Sequence, residues 1–386
     1  MVGFRSAGVE QRGLPNVSDL SPFKDSGGQR TKLIWDVMDS LRRGGPLSGE
    51  FHHDNRDPSE PTGSPFRSGL GYDRSMDMNV KMAVQALHDG GLVAIPTETV
   101  YGLGADGTNP EALRSLFRIK GRPLGHPIIL HLGKAEWLEE FALGNEWSRK
   151  LSQVFWPGPL TMILPRTDRV PPEACGGQAT VGLRVPAHPL ALELLLAFGK
   201  PIAAPSANRF GRISPTTADH VLSEFGDSIA GILDGGPCSV GLESTVLDLS
   251  QERPVILRPG GVSASQIESV LGTGMGAPGS TKAPGTLKSH YAPTTPCRLC
   301  RGVEIAKRCG GQAVLSMRED PECGAAFWLQ ASSDPQSYGH ELYANLRRLD
   351  SLKAEGILVE EVPSGEAWAA VRDRLEKACY ETTGEN

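Results

Sequence analysis

A chain of 386 residues exceeds what one ordinary core supports and predicts two domains plus tails. Its net charge of -6 gives no domain-wide basic footprint of the kind a dedicated nucleic-acid binder carries, so polynucleotide contact is expected to be local or weak. No run of about 18 apolar residues occurs, which predicts no membrane span, and the 7 scattered cysteines do not read as a disulfide framework.

Free thiols point to a reducing compartment, and no charged lead followed by an apolar core marks a secretory signal. A cytoplasmic protein is the expectation. Residues 1–75 are rich in Gly, Pro, Ser, Asp and Arg and read as a disordered extension, with translation from Met76 or Met78 as the alternative. A catalytic α/β domain is expected over 76–272, beginning with a helix marked by Val80, Val84 and Leu87 and stopped by Gly90-Gly91. LVAIP then reads as a buried strand, followed by the polar loop PTETVY and a run of glycines. A helix over 109–119 starts on an Asn109 cap with Pro110 in its first turn and turns Leu113, Leu116 and Phe117 inward.

PIILHL, TMILP and TVGLRVP are further strands, 188–198 a helix, and PIAAPSAN a short strand running into a polar loop. A helix over 217–225 precedes three strand-and-turn units, GILDGG, STVLDLS and PVILRPG, and a helix over 265–271 closes the domain. Residues 273–296 form a linker rich in Gly, Pro, Ser and Thr. Beyond it, 297–386 is a smaller α/β domain with strands at QAVLSM and GILVEEV. Its two amphipathic helices are marked by Leu342, Leu346, Leu349 and Leu352 and by Trp368, Val371 and Leu375.

Gly102, Gly104 and Gly107 satisfy the G-x-G-x-x-G dinucleotide pattern, but that motif must turn directly from strand to helix and meet an acid about 20 residues later. Neither condition holds, so the glycines are expected to shape a substrate loop instead. Lys120-Gly-Arg122 sets two cations at a helix end. Hydroxyls at Thr97, Thr99 and Ser206 and arginines at two strand ends, Arg184 and Arg258, suit forked recognition of carboxylate and phosphate. Together they favour a nucleotide or phosphate site, with His126 and His131 flanking a nearby strand as further ligand candidates. Cys297-x-x-Cys300 lacks a second tight pair, and the spacing disfavours a zinc site.

In order, PTETVYGLG, KGRP, HPIILH, FWPGPLT, TVGLRVPAHP, APSAN, ILDGG, ESTVLDL and ILRPG resemble the YrdC-like family of threonylcarbamoyl-AMP synthases. APGTLKSHYAP, LYANLRRLD and RLEKA resemble its longer two-domain branch. The resemblance implies a YrdC-like twisted mixed sheet with flanking helices around a concave cavity, plus a small Rossmann-like α/β C-terminal domain. It implies a nucleotidyltransferase that converts L-threonine, bicarbonate or CO2, and ATP with Mg2+ into threonylcarbamoyl-AMP and pyrophosphate. A partner threonylcarbamoyl transferase complex would carry the group to tRNA.

Carried over by motif, Lys120 and Arg122 are the catalytic cations. Arg122, His126, Thr180, Ser206, Asn208, Ser214, Arg258 and Tyr291 contact ATP, with Ser206 and Asn208 at its metal. Thr99, His131, Arg184, Ala204 and Ser244 hold threonine, Arg184 forking its carboxylate, and the linker bearing Tyr291 acts as a lid. Two departures from the family pattern stand out: the stretch Thr286–Ser289 is less basic and aromatic than in many relatives, and His126 stands where asparagine is frequent. The alternatives are a non-catalytic YrdC-like RNA-binding protein, and carbamoyl-phosphate-dependent transfer, which would be expected to bring acylphosphatase and zinc-finger modules.

Overall fold

The first helix, Val80–His88, is capped by the Asn79 side chain, which accepts from the Met82 amide, and it buries Ala83 and Leu87. The structure is a computed structural model describing residues 76–380 apart from 278, 280, 286 and 288. The expected extension over 1–75 and the departures at Thr286 and Lys288 lie outside the described residues, all of which fall in the compact unit Leu70–Asn386.

Gly90, at φ 79, turns the chain from the helix toward β1 (Val93–Ile95), which pairs antiparallel with β2 (Gly102–Asp106). Here the structure corrects the expectation: the glycine-rich run is not a loop but a strand. A Cβ at Gly102 would stand 3.0 Å from Ala204 Cβ, and one at Gly107 would stand 2.8 Å from the Pro201 carbonyl oxygen. These glycines let β2 close against the segment that becomes β6 (Ile202–Ala203).

Asn109 caps the Pro110–Lys120 helix by accepting from the amides of Glu111 and Ala112, and Gly121 ends it in the left-handed region at φ 66. The chain then enters β3 (Ile129–His131). The sequence reading passed over the next long helix, Glu146–Phe155, whose outer face is charged and whose start carries an Asn145 and Ser148 capping box.

The remaining strands of the first sheet are β4 (Leu160–Pro165), β5 (Thr180–Arg184), β7 (Gly231–Ile232), β8 (Thr245–Asp248) and β9 (Val255–Arg258). They assemble in the order β7-β1-β2-β6-β3-β5-β4-β8-β9 with both parallel and antiparallel neighbours, a mixed sheet. Helices Pro189–Phe198, Ala218–Phe225 and Ala264–Leu271 flank it.

The second sheet, of β10 (Cys297–Cys300), β11 (Ala313–Ser316), β12 (Phe327–Gln330) and β13 (Ile357–Glu360), is parallel throughout in the order β10-β13-β11-β12. Crossover helices Gly302–Arg308 and Pro335–Ser351 and the final helix Ala369–Ala378 match the expected Rossmann-like pattern. Its core does not stop at the linker. Val100, Ile213 and Leu242 of the first sheet's loops join Tyr343, Leu346 and Val371 in one buried cluster, so the joint has an apolar core of its own.

Cysteine chemistry also departs from the expectation of free thiols throughout. Cys309 and Cys323 form a disulfide across Cα atoms 6.1 Å apart. The turn at Gly310-Gly311 and the bridge from Gly310 to Ala325 bring them together, which their sequence spacing does not announce. Cys175, Cys238, Cys297, Cys300 and Cys379 are free.

Candidate active site

The parallel pairing of β3 and β5 sets His131 opposite Arg184, each the last residue of its strand. Arg258 ends β9, and Ser244 immediately precedes β8, so four side chains from distant parts of the chain meet at one end of the sheet. They line a cleft with Thr97, Thr99, Arg122, Ala204, Ser206, Glu243, His290 and Tyr291. Thr99, Arg122, His131, Arg184, Ala204, Ser206, Ser244, Arg258 and Tyr291 therefore share one cavity.

On one side of the cleft the PTETVY loop builds a hydroxyl relay. The Thr97 hydroxyl donates to the Val100 carbonyl at 2.6 Å and stands 2.8 Å from that of Thr99. Thr97's single hydrogen is thereby committed, so Thr99 donates to Thr97 and itself accepts from Arg184 Nη1 at 2.9 Å. Arg184 Nε donates to the Gly158 carbonyl, and Nη2 lies 2.6 Å from Glu98 Oε1 as a buried ion pair. The fork expected to await a substrate carboxylate is thus already held by a protein carboxylate. Burial, with Arg184 beside it, draws the His131 ring down to about 3, so the imidazole is neutral at physiological pH.

On the other side lie the cations. Arg122 Nη2 donates to the Pro127 carbonyl at 2.7 Å, and its guanidinium sits 5.6 Å from the Phe210 ring centroid. Burial draws it down to about 10, which leaves it charged at neutral pH. Arg258 grips Ser244, donating from Nε and Nη2 to its carbonyl and from Nη2 to its hydroxyl, which also meets Thr161 at 2.8 Å.

Five candidate residues stand outside this lining. Lys120, expected to face ATP, instead turns its ammonium to the carbonyls of Ser206 (2.6 Å) and Asn208, because the last helical turn points into that loop. Burial, then Arg122, pulls it well below the usual lysine range, so it acts as a brace for the Ser206–Asn208 element. Asn208 is buried and donates to the carbonyls of Arg209 and Arg212. Ser214 donates to Glu243 Oε1, behind the wall. Thr180 opens on a smaller adjoining cavity with Lys282 and Pro284, while His126 lies against Phe210, ring centroids 5.4 Å apart.

The linker closes over the cleft. Tyr291 is wholly buried at a positive φ of 61, uncommon for a tyrosine and a sign of a fixed conformation. Its ring stacks near His290, Tyr343 and the Arg374 guanidinium. Sequence reasoning missed Glu98, Glu243 and Arg374. Glu98 and Glu243 stand beside Thr99 and Ser244 and were legible by adjacency; Arg374 carried no such signal.

Buried polar atoms ordinarily find partners, yet around this cleft His131 Nδ1, Asn208 Oδ1, His290 Nδ1 and the Tyr291 hydroxyl have none. Such a cluster fits a site built to receive a polar ligand.

Residues 85–260 match a family model described as telomere recombination, and residues 262–379 match that of the threonylcarbamoyl-AMP synthase C-terminal domain. The Bacillus subtilis threonylcarbamoyl-AMP synthase is 38% identical over 322 residues, covering 78% of this chain and 93% of that protein. The Pyrococcus abyssi enzyme of the same name is 37% identical, covering 79% and 95%. The crystal structure of P. abyssi Sua5 complexed with L-threonine superposes with a TM-score of 0.71 at 37% identity, covering 78% of this chain and 94% of that one. With one relative sharing more than a third of its residues over nearly its whole length, and with both domain models matched in series, the chain belongs to the threonylcarbamoyl-AMP synthase family.

Proposed function

We propose that this chain joins L-threonine, bicarbonate or CO2, and ATP into threonylcarbamoyl-AMP and pyrophosphate, for transfer to tRNA by a partner complex in the cytoplasm. The observation that carries the reading is the meeting, in one cleft, of a carboxylate-binding arginine, a second pair of cations and a set of buried polar atoms without partners. The threonine held by the P. abyssi relative supports placing the amino acid here.

Threonine takes the Thr99, His131 and Arg184 side. Its carboxylate replaces that of Glu98 on Arg184, and its hydroxyl or amine donates to the free lone pair of Thr99 or to the neutral ring of His131. The neutral amine attacks CO2 and gives up a proton to solvent as the carbamate forms. A carbamate oxygen then attacks the α-phosphorus as the bond to pyrophosphate breaks. Little covalent work falls to the protein, so catalysis rests on alignment and on Arg122 and Arg258 facing the charge that builds on the phosphates. The buried lid at His290 and Tyr291 excludes water, which limits loss of the unstable carbamate.

The residues present fit Mg2+ carried on ATP. Ser206 and Asn208 offer hard oxygen donors, Asn208 Oδ1 is a buried acceptor without a partner, and a phosphate-bound Mg2+ needs only one or two protein ligands. When bound, the ion supplies charge neutralisation at the polyphosphate. Pyrophosphate release measured with each substrate omitted in turn tests the proposal: release that persists without threonine or without bicarbonate refutes it.

A further inference from the structure

Glu243 is an anomaly in a cleft proposed to take a polyphosphate. Its carboxylate is almost completely buried, it lines the cavity, and it adds a negative charge where negative charge must bind. It also anchors the wall. Oε1 accepts from the Ser214 hydroxyl, Oε2 accepts from the Tyr343 hydroxyl at 2.8 Å and from Arg374 Nε at 2.8 Å, and the next residue is Ser244. Arg374 comes from the final helix of the C-terminal domain, 131 residues away in sequence, and has no exposed surface at all. A fully buried guanidinium is costly unless paired, and here the pairing is with a residue of the first domain, in the loop just before β8.

We infer that Arg374 is a positioning residue for adenylate formation: it neutralises Glu243, so the C-terminal domain completes the electrostatics of the ATP site. The inference rests on the proposal that ATP occupies this cleft. Every element packed on Glu243 bears on its charge. Arg258 reaches it from β9, His290 and Tyr291 from the lid, Tyr343 from the Pro335–Ser351 helix, and Arg374, with Asp373 beside it, from the last helix. Burial pushes the carboxyl upward, but Arg374 and Arg258, with the hydrogen bonds of Ser214 and Arg374, outweigh it and hold it down at about 2.

The same helix holds the lid, since Lys377 Nζ donates to the Gly285 carbonyl at 2.7 Å and the Lys377 carbonyl accepts from the His290 amide. Arg374 lies 5.2 Å from the Tyr291 ring centroid. One short helix thus fixes both the lid and the charge of the wall beneath it.

The test is calorimetric binding of Mg·ATP to the full chain at about pH 8 and about pH 5.5, for the wild type, Arg374→Met, Glu243→Gln and the double variant. Without Arg374 the buried carboxyl titrates upward, so Arg374→Met is expected to bind ATP about 30-fold more weakly at the higher pH and to recover most of that at the lower. The double variant, in which the glutamine carbonyl oxygen accepts from one of the Ser214 and Tyr343 hydroxyls and its amide nitrogen donates to the other, is expected within about threefold of the wild type at both pH values. A double variant as weak as Arg374→Met, or a loss equal at both pH values, overturns the inference. Should Arg374→Met not fold, Glu243→Gln alone decides: undiminished ATP binding supports neutralisation, and a large loss overturns it. Wild-type protein that binds Mg·ATP but makes no threonine-dependent pyrophosphate removes the proposed reaction and leaves this test standing; wild-type protein that binds none overturns both.

Discussion

Replacing Arg122 by alanine separates the two cations that the KGRP turn supplies. Arg122 faces the cleft, is charged at neutral pH and sits beside Arg258, whereas the Lys120 ammonium is turned away onto the loop carbonyls. Loss of one donor aimed at developing charge costs about 10²- to 10³-fold in kcat, or about 3 to 4 kcal/mol. A stability cost accompanies it: the Pro127 carbonyl loses its buried donor, about 1 to 3 kcal/mol, and the contact with Phe210 is worth about 0.5 to 1 kcal/mol.

Turnover must therefore be measured as threonine-dependent pyrophosphate release well below the variant's Tm. Arg122→Lys, which keeps the charge but not the fork, should recover part of the loss. Lys120→Met serves as the contrast, acting by loosening the Ser206–Asn208 loop and so raising KM for ATP together with a lowered Tm. An Arg122→Ala enzyme that turns over within a fewfold of wild type would refute the assignment of Arg122 to the reacting phosphates.

Three further outcomes follow from the same contacts. Glu98→Gln removes the carboxylate that competes for Arg184, and titration calorimetry should show threonine binding about tenfold tighter; weaker binding would mean that Glu98 assists the ligand instead. His131 and His290 are both held at about 3, below the ordinary histidine value, so the unfolded chain takes up protons that the folded chain refuses. Stability is thus fully present above about pH 6.5 and falls as pH drops toward 3, by up to about 1.4 kcal/mol per pH unit for each histidine; urea unfolding with no loss between pH values near 6.5 and 4.5 would contradict this. Gly241→Ala should lower Tm by several degrees, since Gly241 has φ 80 and a Cβ there would stand 2.6 Å from His340 Cα at the joint between the sheets.

Much of the architecture is legible because local signals agree with the global fold. The Asn109-Pro110 start and Gly121 stop bracket their helix correctly, since cap chemistry is decided within a few residues. The strand-end arginines Arg184 and Arg258 read correctly for a similar reason: apolar strand runs end where polar chains can reach the sheet's rim. The glycines of β2 were misread because glycine marks both turns and close approach, and only Ala204 and Pro201, about a hundred residues on, show which is needed.

Lys120 fails for a different reason. Its position is clear from sequence, but the direction of a lysine at a helix end depends on the loop that packs there. Arg374 was the least legible of all, because its meaning depends on a partner in the first domain and nothing in the amphipathic pattern of its helix distinguishes it from a solvated arginine.

The central claim is that three small molecules become one adenylate in this cleft. Mass spectrometry of the product made with 13C-bicarbonate, L-threonine and Mg·ATP tests it most directly. The account predicts a species containing AMP and threonine together, shifted by a single 13C and formed about 10²- to 10³-fold more slowly when Arg122 is replaced by alanine. AMP formed without the label, or a labelled product lacking threonine, would contradict it.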